Sequence, residues 1–235
     1  MKVNINKIEL EVEDDIRFWK RISEWEPYSF SILDYFLKSD NVLVDIGAWN
    51  GVLSLYGAMK ANRVYSFEPD KVAFERFTNN IKLNNINNIN AINAAASFED
   101  NTKELFIKND GDSVSSLIDR TMEGYICSKH YEVKTINIFN FISNIENIGL
   151  IKIDIEGFEE ILIPKMRDYI SKHQPPLYIS FHPGWFEDKD NTINKIIEIF
   201  EPYYNCFNVH FEQFTYDKFK ESLNDKEHCF IFIKK

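Results

Sequence analysis

The sequence predicts an α/β fold: a mostly parallel sheet of seven strands with an antiparallel edge strand and helices on both faces. Two observations predict it. Asn41 to Asp70 reads as apolar strand, glycine-bounded loop, helix and second apolar strand, the pattern of a β-α-β unit. Gly149 to Glu160 has the same outline, an apolar run that closes on acidic residues and a glycine before a helix begins. In both runs β-branched residues follow one another without polar alternation, as in strands buried on both faces of a parallel sheet.

The elements follow in order. Val3, Ile5, Ile8, Leu10 and Val12 alternate with polar residues and suggest an edge strand or hairpin. Asp14-Asp15 caps a helix from Ile16 to Glu24, with Ile16, Trp19 and Ile22 on one stripe, and Pro27 ends that pattern. A second helix runs from Ser29 to Lys38, so residues 1–40 form a strand and a helical lid on residues 41–235. Val42 to Ile46 is the first central strand, Val52 to Met59 the helix after the glycine loop, and Arg63 to Phe67 the next strand. A helix through Phe74, Phe77 and Ile81 ends at an asparagine-rich turn, and a third strand, Ile89 to Ala95, runs into Ala94-Ala95-Ala96-Ser97. Glu104 to Lys108 and Tyr131 to Ile136, around Asp110-Gly111-Asp112-Ser113, form a hairpin inserted near residues 100–136. The strand Leu150 to Asp154 leads into a helix that Pro164 interrupts. Leu177 to Phe181 ends on His182-Pro183-Gly184-Trp185. A helix from Thr192 to Phe200, a strand Tyr204 to His210, a short helix near Phe214 to Lys220 and a last strand His228 to Ile233 close the sheet as an antiparallel pair.

Composition narrows the function. Hydrophobic residues make up 44% of the chain and aromatics 15%, which suits a packed core. No apolar run approaches the roughly 20 residues of a membrane helix, and the N-terminus MKVNINKIELEVEDD lacks the uninterrupted core of a signal peptide. Cys127, Cys206 and Cys229 have no C-x-x-C spacing, so reduced thiols and a cytoplasmic location are expected. With 37 acidic against 27 basic residues, a formal charge of −10 and no long Lys/Arg run, neither a nucleic-acid partner nor a polybasic membrane anchor is expected.

The loop after the first central strand says what the fold would hold. A dinucleotide site uses G-x-G-x-x-G so that the backbone can hug a pyrophosphate at a helix N-terminus. Here Gly47 and Gly51 frame Ala48-Trp49-Asn50, so the middle glycine is absent, and a nucleoside without phosphate fits better. Glu68 follows Gly47 by about twenty residues, the spacing that returns an acidic side chain to the crevice, where it can accept both ribose hydroxyls. Asp45 can hold a cationic amine or order the loop. S-adenosylmethionine is a ligand of this kind. Gly47, Ala48, Gly51 and Pro69 belong to the same crevice, Ala95 and Ala96 leave room for the flat adenine, and Tyr28 stands at a helix start near the loop. Asp154, Glu156 and His182, at the ends of neighbouring strands, are the candidates for chemistry.

Four stretches resemble the FkbM family of S-adenosylmethionine-dependent methyltransferases: residues 44–51, residues 65–70 with 80–84 after them, Ile151 to Glu159 with its D-x-E-G-x-E element, and Ile179 to Pro183. They span about residues 40 to 185; the family commonly has asparagine after the Gly-Ala pair, where this chain has Trp49. The resemblance implies a Rossmann-like class I methyltransferase fold and O-methylation of a hydroxyl on a small molecule or glycan. His182 or Asp154 would then act as base, and a divalent ion on Asp154, Glu156 and His182 is a competing way to acidify the hydroxyl. An NAD-dependent oxidoreductase would share Glu68 but want the missing glycine, and a non-catalytic S-adenosylmethionine-binding protein would have no need of the crevice carboxylates.

Overall fold

The structure, a computed structural model, describes residues 1–13, 17–119, 127–225 and 228–235. β1 (Lys2–Ile5) and β2 (Ile8–Glu11) form an antiparallel hairpin whose turn residues, Asn6 and Lys7, both have positive φ. The expected cap Asp14-Asp15 and Ile16 lie outside the described residues. Arg17–Glu24 is a 3-10 helix, kinked at Arg21, in place of the expected α-helix. Its apolar residues explain the tighter winding, because at three residues per turn Trp19 and Ile22 stack on one line and both are buried. Pro27 then opens α1 (Pro27–Phe36) in the first turn, where its missing N–H costs nothing.

β3 (Val42–Ile46) is the central strand and is buried along its whole length, Asp45 included. Gly47 and Gly51, both at φ near 80°, turn it into α2 (Val52–Ala58), whose seven residues are all buried. β4 (Arg63–Phe67) follows. α3 (Lys71–Leu83) starts on Asp70, whose side chain accepts from the amides of Val72 and Ala73. β5 (Ile89–Ile92) is shorter than expected, because Asn93 bonds the carbonyls of Glu68 and Pro69 and the chain leaves the sheet there.

Ala95 and Ala96 therefore belong to a separate strand, β6 (Ala95–Ser97). It pairs in parallel with β8 (Lys129–Asn137), which pairs antiparallel with β7 (Asn101–Ile107). After α4 (Ile138–Ile142) come β9 (Ile148–Ile153), α5 (Glu159–Lys165) and α6 (Arg167–His173), the last two separated by a break beyond Pro164. β10 (Leu177–Ser180), α7 (Lys189–Phe200), β11 (Tyr204–Asn208), β12 (Gln213–Phe214), α8 (Tyr216–Asp225) and β13 (Cys229–Lys234) complete the order.

Among the described residues the main sheet has eight strands, ordered β12-β11-β13-β10-β9-β3-β4-β5, not seven. The extra one is the two-residue β12 at the edge, and the reversed strand β13 lies inside, antiparallel to both β10 and β11. Phe230, Ile231 and Phe232 are all buried, and such a run is satisfied only with neighbours on both sides and cover on both faces. Successive residues feed two apolar layers. Leu43 and Val64 pack with α1, α2 and the N-terminal hairpin, whereas Val44, Ile46 and Phe67 pack with α5 to α8.

Candidate active site

The carboxyl ends of β3, β4 and β9 open onto one cavity of about 370 Å³. The loop after β3 forms its floor. The amides of Gly47 and Ala48 both donate to Phe67 O at 3.0 Å, and a Cβ on Gly47 would stand 1.8 Å from the Asp154 carbonyl oxygen, so only glycine fits there. Trp49 takes φ +50° and turns its amide to Glu68 Oε2 at 2.7 Å, while Asp70 N donates to Oε1 at 2.8 Å. Burial outweighs these two donors and pushes the Glu68 carboxyl up to about 7.

Asp45 and Lys152 lie deeper. Asp45 accepts from Ser54 Oγ at 2.5 Å and pairs with Lys152 Nζ at 3.3 Å. Lys152 also donates to Gly47 O at 2.6 Å and lies 3.7 Å from Asp154. Burial alone would lower the pKa of this ammonium, but Asp45, Asp154 and Glu26 more than compensate and hold it above its ordinary value. Asp45 therefore orders a buried cation and the loop at once.

The turn after β9 builds the other end. Glu156 and Gly157 have positive φ, and the fully buried Glu159 accepts from the amides of Ile155 and Gly157 at 2.9 Å each. Glu159 Oε1 also meets His182 Nδ1 at 3.3 Å, while His182 Nε2 lies 3.7 Å from Asp154 and 3.6 Å from Glu156. Burial lowers the affinity of His182 for a proton; Glu159, Asp154 and Glu156 reverse that and push it up to about 9. With no ion beside it His182 is thus an imidazolium at neutral pH and has no lone pair with which to act as base.

Of the predicted residues, Asp45, Gly47, Ala48, Glu68, Pro69, Ala95, Ala96, Asp154 and Glu156 line the cavity. Three do not. His182 sits behind Asp154 and Glu156. Gly51 has a structural part, since a Cβ there would overlap the Phe77 ring at 1.9 Å. Tyr28 faces Cys229 instead, and its neighbours Trp25 and Glu26 reach the cavity. Sequence reasoning missed Glu26 and Lys152. A signal for Lys152 was present, a single cation between Ile151 and Ile153 in a strand buried on both faces, which demands counter-charges nearby. The insertion supplies a wall from Asp112 to Leu117, tied down by Ser116 Oγ on Glu156 O at 2.8 Å and by the Trp49 indole on Gly111 O at 3.0 Å.

The FkbM methyltransferase domain matches this chain over residues 45–213, more than half its length. The chain belongs to the FkbM methyltransferase family. Its fold is that of class I methyltransferases, and the match reaches from Asp45 through Glu68 and Lys152 to His182. Among solved structures it is similar to methyltransferase FkbM from Methylobacillus flagellatus, with a TM-score of 0.51 and 18% identity over 92% of this chain and 59% of that one. It thus spans about three fifths of that protein's length. A putative rRNA methylase from Clostridium thermocellum matches with a TM-score of 0.50 and 10% identity over 88% and 93% of the two chains. SMU.1697c, a putative methyltransferase from Streptococcus mutans in complex with SAH, matches at 0.48 and 13% over 88% and 96%. At these identities the likeness is one of fold. No curated protein matches the chain. The Trp49 indole spans the distance to the insertion loop.

Proposed function

We propose that this chain transfers the methyl group of S-adenosylmethionine to a hydroxyl oxygen of a small molecule or glycan. The observation that carries the reading is the convergence of Glu68, Asp154 and Glu156, from the ends of two different strands, on one cavity. In this reading Glu68 accepts the ribose hydroxyls, Gly47 and Ala48 support the nucleoside, and Pro69, Ala95 and Ala96 flank the adenine. Lys152 pairs with the methionyl carboxylate. Asp45, already engaged by Ser54 and Lys152, positions that lysine instead of holding the methionyl amine.

Methyl transfer from a sulfonium needs the acceptor oxygen in line behind the methyl carbon, so fixing both partners in one closed cavity supplies much of the acceleration. A sugar-type hydroxyl is hardly ionised at neutral pH, and a positioned base is worth roughly 10²- to 10⁴-fold. Asp154 is that base in this reading, because the protonated His182 cannot accept; His182 and Lys152 hold Asp154 in place. Attack by a developing alkoxide on a sulfonium neutralises charge, which a dry cavity favours over water. Six carboxylates line the cavity, namely Glu26, Asp45, Glu68, Asp112, Asp154 and Glu156. That lining and the net charge of −10 favour a cationic cofactor and an uncharged acceptor over a polyphosphate or nucleic acid.

Titration calorimetry with S-adenosylhomocysteine tests the cofactor half: wild type binds and Glu68→Ala does not, while both give the same circular dichroism spectrum. A methyl-transfer screen over glycans, hydroxylated natural products, nucleotide sugars and RNA tests the acceptor half. Transfer to RNA but to none of the hydroxylated small molecules or glycans would overturn it.

A further inference from the structure

Asp154, Glu156 and His182 surround a point instead of touching one another. His182 Nε2 stands 3.7 Å from Asp154 Oδ1 and 3.6 Å from Glu156 Oε1, beyond the roughly 2.7–3.2 Å of an N–H···O hydrogen bond. One ligand atom from each residue lies within 4.8 Å of the other two. A point equidistant from three atoms so spaced is about 2.1 to 2.4 Å from each, which covers the bond lengths of divalent ions to nitrogen and oxygen. We propose that these three side chains bind a divalent first-row transition ion at the acceptor end of the cavity.

Two further observations point the same way. Asp154 Oδ1 is shut off from solvent and makes no hydrogen bond, an acceptor atom left for a ligand. Glu159, outside the trio and fully buried, is locked by two backbone amides and faces His182 Nδ1, so it can accept a hydrogen bond from Nδ1–H and fix the tautomer in which the Nε2 proton goes to solvent on metal binding and the Nε2 lone pair is directed at the point. A carboxylate on the far nitrogen is the usual way a ligating imidazole is oriented. The donor set selects the ion. Magnesium and calcium take oxygen donors, whereas an imidazole with two carboxylates suits manganese, iron or zinc. Three protein donors leave coordination positions open. Asp154 and Glu156 line the cavity, so those positions face it and can take a hydroxyl of the acceptor, or two adjacent hydroxyls at once. That use of the ion rests on the methyl-transfer reading; the binding of the ion does not.

Manganese(II) is the probe, followed by loss of its free electron-paramagnetic-resonance signal on titration into the ligand-free protein. The expected result is one tight site per chain, weakened at least tenfold in both Glu156→Gln and His182→Gln. Asp217→Asn, an exposed carboxylate on α8, should retain wild-type binding. S-adenosylhomocysteine affinity within about twofold of wild type confirms that each variant is folded. Absence of a tight site would overturn the proposal, as would equal affinity in wild type and both site variants; the trio would then be an ion pair held by a protonated His182. Failure to bind S-adenosylhomocysteine, with manganese still bound at this site, would refute the cofactor reading and leave the ion site standing.

Discussion

Burial of Glu68 makes cofactor binding pH-dependent in a direction that can be worked out. The carboxyl ordinarily titrates at 4.5 and is pushed up to about 7 in the ligand-free protein. In the proposed reading ribose hydroxyls donate to the ionised form, so binding must expel a proton wherever Glu68 is protonated. At pH 8 about nine tenths of the protein is ionised at this position and at pH 6 about one tenth, so affinity for S-adenosylhomocysteine should fall about tenfold between them. Ligand-free stability follows the opposite sign. A folded-state pKa raised above the unfolded one gives a contribution fully present below pH 4.5 and lost as pH rises through about 7, a difference of about 3 kcal/mol for this group. Calorimetry across pH 6 to 8 in buffers of different ionisation enthalpy measures both the affinity and the protons released. Glu68→Gln removes the titration, and its affinity, though weaker, should no longer vary with pH. An affinity flat between pH 6 and 8 in wild type, or an equal slope in Glu68→Gln, would refute the assignment of that proton to Glu68.

Three other outcomes follow from the same geometry. Gly47→Ala places a methyl group 1.8 Å from the Asp154 carbonyl at a φ that side chains avoid; the loop must move, with a cost of at least about 2 kcal/mol in urea unfolding and loss of S-adenosylhomocysteine binding. Lys152→Met strips Asp45 of its cation in a site only 1% exposed, and should cost about 3–5 kcal/mol; the double variant with Asp45→Asn should recover a substantial part, and its failure to do so would mean that the ion pair is not the source of the loss. Trp49→Phe keeps the ring against Phe18 but removes the bond to Gly111 O, worth about 1 kcal/mol, so stopped-flow release of S-adenosylhomocysteine should quicken about fivefold.

The parts legible in the sequence are those whose cause is local. A run such as Val42 to Ile46 must be a buried strand wherever it lies, and a glycine-bounded turn followed by an acid about twenty residues later must return that acid to the same crevice. That logic brings Glu68 and Asp154 to one cavity without any knowledge of what lies between them. What escaped depends on partners distant in the chain. β13 reads as an edge strand until its neighbours on both sides are known, and Asn93 ends β5 only because the carbonyls of Glu68 and Pro69 are there to receive it. Tyr28 and Glu26 are two residues apart, and the left-handed turn at Glu26 before Pro27 decides which of them meets the cavity. The state of His182 is the clearest case. Alone at a strand end it reads as a base, but its proton is governed by Glu159, a carboxylate placed by the tight turn at Glu156 and Gly157, and by two acids across a gap near 3.6 Å. Whether a proton or a metal ion balances those carboxylates is a property of two separate loops, the turn between β9 and α5 and the end of β10. In the methyl-transfer reading the residues of the D-x-E-G-x-E element mark the acceptor end of the cavity, and their distances in space determine which chemistry they can perform.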